Sequence, residues 1–233
     1  MLATGQRTHF HDIWSRNIFP FSMEGCVLYL PLWQEDMQGT TLLSYDQYYH
    51  SCTPTTPTWG VQGRSFNGVD DYITIPYASS LNPTAYITLE GWIRLAGNWS
   101  SAAIIIGNMF YGAPNSGYEL IVEATREVTF LLSTGSIIFS IATIDKILTG
   151  TWMHVVGTYN QQSLRIFLNG ILSIESARTG VLDPGVLDTV VGRRLWGSTL
   201  HFNGDIGEVR IYSRALTPLE VQHKYLATKW RYQ

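Results

Sequence analysis

The fold is indicated most clearly by residues 151–177, which read TWMHVVGTYNQQSLRIFLNGILSIESA. Runs of β-branched and aromatic residues alternate there with short polar stretches, a pattern typical of consecutive β-strands. Asn169-Gly170 lies between two of these runs and favours a two-residue type I′ turn, because both central residues of that turn need positive φ. The run before the turn alternates between two predicted faces, with Leu164, Ile166 and Leu168 on one face and Arg165 and Phe167 on the other.

Similar short runs recur from Cys26 onward, and Gly, Asn, Pro and Ser separate them. The predicted strands are 27–32, 65–66, 72–75, 87–95, 102–106, 118–124, 127–133, 137–141, 152–159, 163–168, 171–177, 188–191 and 204–212. About a dozen strands at this spacing predict an antiparallel sandwich or barrel. In the strand at 204–212, Val209 and Ile211 alternate with Arg210 and Tyr212, which predicts one buried face.

One helix is predicted near the end of the chain. Thr217-Pro218-Leu219-Glu220 forms a capping box with Pro at the first helical position, so a helix is expected to run to about residue 227.

Composition narrows the class of protein. The chain has 233 residues, of which 45% are hydrophobic and 14% charged, which favours one ordered β domain. The net charge is −3 and no basic run is present, so we do not expect nucleic-acid binding. No apolar run approaches the roughly 18 residues that a spanning helix needs, so membrane insertion is not expected either.

The first 22 residues are predicted to form an arm outside a domain that covers residues 23–233. The arm has no strand or helix period and carries four aromatic residues, Phe10, Trp14, Phe19 and Phe21. These rings suggest docking on a neighbouring subunit, the alternative being a loose terminus. No Sec signal peptide is recognised. Cys26 and Cys52 are expected to be reduced thiols, with a disulfide as the alternative.

Three segments together resemble the laminin G-like, concanavalin A-like lectin-glucanase jelly-roll family. They are GRSFNGVDDYI at 63–73, the segment at 151–170, and FNGDIGEVRIYSRAL at 202–216. The resemblance implies an all-β fold in which two antiparallel sheets form a jelly-roll β-sandwich, followed by the short C-terminal helix. It also implies a concave face and a ring of loops where ligands bind, without naming one ligand.

Some relatives with this fold hydrolyse glycans. Laminarinase-like enzymes place acidic residues alternately on one strand, so that the carboxylates share a face. No strand of this sequence has that pattern, and Glu119 and Glu123 would lie about 13 Å apart on a strand. We therefore predict that the protein is not an enzyme, with a glycoside hydrolase as the less favoured alternative.

A structural calcium ion is a further implication of the resemblance. Asp70 and Asp71 lie in the first family-like segment, near which relatives often hold calcium. The closing strand has Gly207 where relatives often have an acid, and Asp205 stands nearby instead. The candidate metal ligands are thus Asp70, Asp71 and Asp205, the alternative being that the two adjacent acids shape a turn.

Aromatic residues in loops are the candidate ligand-binding residues. Trp99, Tyr111 and Trp196 lie in stretches rich in Gly, Asn and Ser, where exposed rings can stack on sugars. The alternative is that these rings anchor their loops on the sandwich. Trp92 and Trp152 are predicted to be packed inside the fold.

Two functions are compatible with these features. The first is a non-catalytic recognition module that binds a glycan or protein ligand through loops. The second is a structural surface protein of a larger assembly, such as a viral capsid or tail decoration, docked through the N-terminal arm. Either function places the protein outside the cell or on a virion surface.

Overall fold

A computed structural model of the protein describes residues 22–197 and 200–233. The predicted N-terminal arm therefore lies outside the described residues, except for Ser22. The strands in the described part are β1 (Cys26–Leu30), β2 (Leu42–Leu43), β3 (Ser51–Thr55), β4 (Thr58–Gly60), β5 (Gly63–Asn67), β6 (Tyr72–Ile75), β7 (Ile87–Leu95), β8 (Ala103–Gly107), β9 (Tyr118–Val122), β10 (Val128–Thr134), β11 (Ile137–Ala142), β12 (Trp152–Tyr159), β13 (Ser163–Leu168), β14 (Ile171–Ala177), β15 (Thr189–Val191) and β16 (Asn203–Tyr212).

The described strands form two eight-stranded sheets. The first sheet has the order β14-β13-β12-β7-β16-β5-β4, and β1 also pairs with β16. The second has the order β11-β10-β9-β8-β15-β6-β3-β2. Neighbouring strands are antiparallel, for example β7 with β12 and with β16. This architecture confirms the predicted two-sheet antiparallel β-sandwich.

The hydrophobic core lies between the two sheets. Leu89 and Ile93 of β7 contribute to it from the first sheet, and Leu120 and Phe130 contribute from the second. The sheets can approach closely at Gly157 in β12, because a Cβ atom there would lie 2.8 Å from Cγ of Phe130. Filling both inner faces with aliphatic and aromatic side chains is the main stabilising term of such a sandwich.

A helical segment covers the outer face of the first sheet. Helix α1 (Pro218–Thr228) begins at the capping box formed by Thr217 and Glu220, as predicted. A 3-10 turn, Lys229–Tyr232, follows it directly. None of the helices in the described part of the chain is long and apolar enough to cross a bilayer.

This cover corrects one sequence-based expectation. Alternation along β16 predicted that Arg210 and Tyr212 face outward, yet both are fully buried, as are Val209 and Ile211. The helix and the turn after it bury the outer face of the sheet, so polar and apolar residues alternate between two buried environments. Phe167 in β13 is buried for the same reason.

Most strand positions agree with the sequence-based prediction. Asn169 and Gly170 have φ values of 50° and 79°, which confirms the turn with positive φ at both central residues. Strands β2, β3 and β4 were not predicted, because β2 and β4 have only two and three residues and β3 is largely polar and contains Pro54. Two 3-10 turns were also missed, at Glu35–Gln38 and Ser79–Leu81. Cys26 and Cys52 are free and buried, as expected.

Candidate functional site

A cluster of ionisable side chains is buried between the first sheet and the helical cover. Arg210 of β16 donates from one nitrogen, Nη1, to Oε1 of Glu90 at 2.8 Å and to Oε1 of Glu208 at 2.9 Å. All three side chains are fully buried. Glu90 lies on β7 and Glu208 on β16, so the two acids come from neighbouring strands. We call these residues, together with His154 and Lys224, the ion cluster.

His154 and Lys224 complete the ion cluster around Glu90. His154 Nε2 is 3.1 Å from Glu90 Oε1, and Lys224 Nζ is 3.8 Å from Glu90 Oε2. Burial by itself raises the pKa of Glu90, but Lys224 and Arg210 outweigh burial and hold that pKa well below its usual range. Burial lowers the pKa of Lys224 to about 8, against the attraction of Glu90. Because Lys224 belongs to α1, the ion cluster holds the helix on the sheet.

An aromatic stack adjoins the ion cluster. The ring of Tyr232 lies 4.5 Å from that of Trp92 and 4.8 Å from that of Trp152, measured between centroids. Gly207 leaves room for the stack, since a Cβ atom there would lie 2.3 Å from Cε1 of Tyr232. Any larger residue at position 207, including the acid expected from the resemblance, would collide with the Tyr232 ring, which explains the glycine there. Trp92 and Trp152 are packed as predicted, although under the helical cover rather than between the sheets.

Trp33 connects the ion cluster to the surface. Its indole nitrogen donates to Glu208 Oε2 at 3.3 Å. The guanidinium carbon of Arg231 lies 3.5 Å from the centroid of its ring, and Arg231 Nη1 is 3.8 Å from the same Glu208 oxygen. Two contacts to buried or half-buried groups therefore fix the plane of this tryptophan.

On its other side Trp33 forms part of an open groove with a volume of 580 Å³. We call this feature the aromatic groove, and its lining residues are Trp33, Gln34, Glu35, Asp36, Tyr45, Trp59 and Val61. The three aromatic residues are half-buried, whereas Glu35 and Asp36 are exposed. The aromatic groove thus offers ring surface together with two carboxylates.

A buried arginine holds the segment that carries the two acids. Arg64 of β5 donates to the carbonyl oxygens of Gly39 at 2.8 Å and Pro57 at 2.7 Å. It also donates through Nε to the carbonyl of Met37 at 3.1 Å. Burial lowers the pKa of Arg64. One rigid guanidinium therefore ties together the 3-10 turn and the chain that leads into β4.

Two further hydrogen bonds shape the walls of the aromatic groove. The indole nitrogen of Trp59 donates to the carbonyl of Gln34 at 2.9 Å. The hydroxyl of Tyr45 donates to Oδ2 of Asp36. These bonds make the arrangement of rings and acids largely pre-formed, as is usual for small-ligand sites.

Sequence reasoning missed the aromatic groove. Its residues come from separate turns between residues 33 and 61, a region without a strand pattern that could be recognised in the sequence. The available signal was the run Trp33-Gln34-Glu35-Asp36, which places a ring beside two acids.

The residues predicted to bind a ligand do not form one site. Tyr111 and Trp196 meet, because the Trp196 indole donates to the Tyr111 carbonyl at 2.9 Å. Tyr111 in turn donates through its hydroxyl to Glu119 Oε2 at 2.7 Å. Trp99 is anchored elsewhere, with its indole nitrogen 2.9 Å from the Glu123 carbonyl and its ring against Phe202. A ligand-binding role for Trp99, Tyr111 and Trp196 stays a prediction.

The predicted metal ligands already have partners. Asp71 accepts a hydrogen bond from the Asn67 amide at 2.8 Å, and Asp70 accepts one from the Asn67 side chain at 2.7 Å. Asp205 pairs with Arg94 at 2.8 Å. Within residues 22–197 and 200–233, no three His, Cys, Asp or Glu side chains come together in a way that could hold a metal ion. The three acids therefore do not fit a ready-made calcium site, and calcium binding stays a prediction.

Comparison with known families gives a match over residues 67–222 to the concanavalin A-like lectin/glucanases superfamily. The chain belongs to this superfamily. A comparison with curated proteins finds no match.

Several solved structures share the superfamily fold. A Trypanosoma rangeli sialidase in complex with sialic acid matches with a TM-score of 0.72 at 14% identity, over 97% of this chain and 39% of the sialidase chain. The botulinum neurotoxin serotype G binding domain matches with a TM-score of 0.66 at 15% identity, over 86% of this chain and 50% of that chain. The binding domain of Paraclostridial Mosquitocidal Protein 1 matches with a TM-score of 0.65 at 15% identity, over 87% of this chain and 52% of that chain. This superfamily member thus spans about half or less of the length of these three chains.

The prediction that the protein is not an enzyme is wrong as a conclusion about this fold, because a sialidase shares the fold over almost the whole of this chain and 39% of its own, so the fold does not exclude catalysis. The sequence test was too narrow in physical terms, since it looked for acids that alternate along one strand. Glu90 and Glu208 show that this fold also brings acids together from adjacent strands. Because the fold is also shared with the binding domains of a botulinum neurotoxin and of a mosquitocidal protein, a binding module fits the superfamily as well.

Proposed function

We propose that this superfamily member recognises carbohydrate in the aromatic groove. The observation that carries the proposal is the lining itself, in which Trp33, Tyr45 and Trp59 surround a volume of 580 Å³ beside Glu35 and Asp36. Small-ligand sites occupy about 300–1,000 Å³ and combine apolar walls with a few polar groups. The aromatic groove satisfies both criteria.

The chemistry of the lining suits a sugar. A pyranose ring has apolar C–H faces that pack on aromatic rings, and its hydroxyl groups donate hydrogen bonds to carboxylates. Binding costs less free energy when the protein groups are already ordered. The bonds from Trp59 to the Gln34 carbonyl and from Trp33 to Glu208 supply that order.

The comparisons support a recognition function at a general level. The matching family is described as lectins and glucanases, and two of the similar structures are binding domains of toxins. The ligand of this protein is inferred from the aromatic groove and not from those proteins.

The test is glycan binding by wild type and a Trp59→Ala variant, measured by titration calorimetry on ligands selected from a glycan array. We expect Trp59→Ala to weaken binding at least tenfold, because the sugar loses its stacking on the indole ring and the apolar area buried there. Trp59→Phe keeps a ring and is expected to retain most of the affinity. Thermal melting of both variants verifies that they are folded.

Trp196→Ala is the matched control, since Trp196 is 45% exposed and does not line the aromatic groove. Unchanged binding in this variant supports the proposal. If Trp196→Ala abolishes binding and Trp59→Ala does not, the ligand binds at the loops around Tyr111, and the proposal is refuted.

A further inference from the structure

The charges around the aromatic groove are all of one sign. Glu35 and Asp36 are acidic, and none of the other lining residues is basic. Asp36 shares one oxygen with the Tyr45 hydroxyl, whereas Glu35 has no hydrogen-bond or ion-pair partner among the residues that the structure describes. Among the described residues, the oxygens of the Glu35 side chain are therefore available to a ligand in the aromatic groove.

The arginine behind the groove does not cancel these charges. Arg231 stacks on Trp33 and lies 3.8 Å from the buried carboxylate of Glu208. Its side chain is 17% exposed, so its charge faces Glu208 and the ring rather than the open volume. Arg64 likewise directs its donors at backbone carbonyls. The electrostatic field in the aromatic groove is therefore set by the two acids on its rim.

We propose that the aromatic groove selects sugars that carry a protonated amine over their uncharged and acidic counterparts. This inference rests on the proposed function and names its ligand class. An ammonium group gains from a nearby carboxylate and also from the faces of tryptophan and tyrosine rings. A sugar with a carboxylate is repelled by the same two acids, which reduces its affinity.

The experiment compares three ligands with similar rings and different charge: a glucosamine tetramer, its N-acetylated form, and a galacturonic acid tetramer. Calorimetric titrations are carried out at about pH 5.5, where the free amines of the first ligand are protonated. We expect the glucosamine tetramer to bind about tenfold more tightly than the N-acetylated form, which corresponds to about 1.4 kcal/mol. The acidic tetramer is expected to bind most weakly.

Isosteric variants locate the source of the preference. Glu35→Gln is expected to reduce the preference for the amine several-fold, because it weakens binding of the amine tetramer more than binding of the N-acetylated tetramer. Asp36→Asn is expected to act in the same direction. Asp145→Asn removes one exposed charge outside the aromatic groove and is expected to change nothing. Raising the salt concentration should also diminish the preference, because exposed charges are screened.

The outcomes separate this inference from the proposed function. Equal binding of the amine and N-acetylated tetramers, or a preference that survives Glu35→Gln and Asp36→Asn together, refutes the charge selection and leaves sugar recognition standing. If none of the three tetramers and no glycan on the array binds, sugar recognition itself is refuted. If Trp59→Ala leaves the affinity for the glucosamine tetramer unchanged, the amine binds outside the aromatic groove, which also overturns the inference.

Discussion

Replacing Arg210 by Met tests whether the ion cluster holds the helical cover on the sheet. Arg210 contacts two fully buried carboxylates, Glu90 at 2.8 Å and Glu208 at 2.9 Å, and Met fills a similar volume without charge. Removing one partner from a buried ion pair costs about 3–5 kcal/mol, because the other charge stays buried and uncompensated. Lys224 and Arg231 lie 3.8 Å from the two acids and compensate part of this loss. We therefore expect Arg210→Met to lower the free energy of unfolding by about 3 kcal/mol, the lower end of that range.

The loss is expected to depend on pH. In the wild type the pKa of Glu90 is depressed, so its contribution to stability is present above the unfolded pKa and is lost as pH falls through the folded pKa. Without Arg210, burial raises that pKa, the folded state takes up a proton, and stability rises as pH falls. The difference between wild type and variant should therefore narrow from pH 7 towards about pH 4.

The assay is urea unfolding at both pH values, followed by tryptophan fluorescence. Arg165→Met provides the matched control, because Arg165 pairs with Glu175 at 2.8 Å on the surface, where the two side chains are 25% and 42% exposed. Exposed pairs contribute about 0–1 kcal/mol. If Arg210→Met costs no more than Arg165→Met, the ion cluster does not stabilise the cover and the reasoning fails.

The remaining predictions concern the core, the helix and the N-terminal arm. Ile211 is fully buried, so Ile211→Ala should cost about 2–5 kcal/mol in urea unfolding, and a loss below about 0.5 kcal/mol would be incompatible with a central β16. A hydrogen bond from Arg214 lowers the pKa of Glu220 to about 2, so Glu220→Gln should cost about 0.5–1 kcal/mol at pH 7. That cost should disappear between about pH 4.5 and pH 2, where the wild-type carboxylate loses its charge; a cost independent of pH would argue against the ion pair. Deleting residues 1–22 should reduce the number of subunits in any assembly, as calculated from the mass measured by light scattering. An unchanged number of subunits would show that the arm does not carry assembly.

How much of the fold could be predicted depended on local patterns. Alternation and the Asn169-Gly170 turn identified β12, β13 and β14 because strand period and turn geometry are encoded within a few residues. The burial of Arg210 was not predictable in this way, since the cover that buries it comes from a helix later in the chain. A pattern read along one strand cannot show what packs on its far side.

The site was less accessible to sequence reasoning than the fold. Glu90 and Glu208 are far apart in sequence and meet only through the register of β7 with β16. Trp99, Tyr111 and Trp196 were chosen because their loops are rich in small polar residues, and two of the three use their indole nitrogens to hold backbone carbonyls. An aromatic residue in a loop therefore indicates an anchor as readily as it indicates a ligand site.

The position of the aromatic groove bears on how function arises in this superfamily member. The family match covers residues 67–222, and every residue that lines the groove precedes residue 67. Arg231, which stacks on Trp33, follows the matched range. The matched segment nevertheless supplies Glu208, which accepts the hydrogen bond that orients Trp33. The superfamily sandwich thus acts as the rigid support, while residues outside the matched range form the candidate ligand surface. Ligand specificity is therefore expected to change with residues 33–61, even among proteins that share the sandwich.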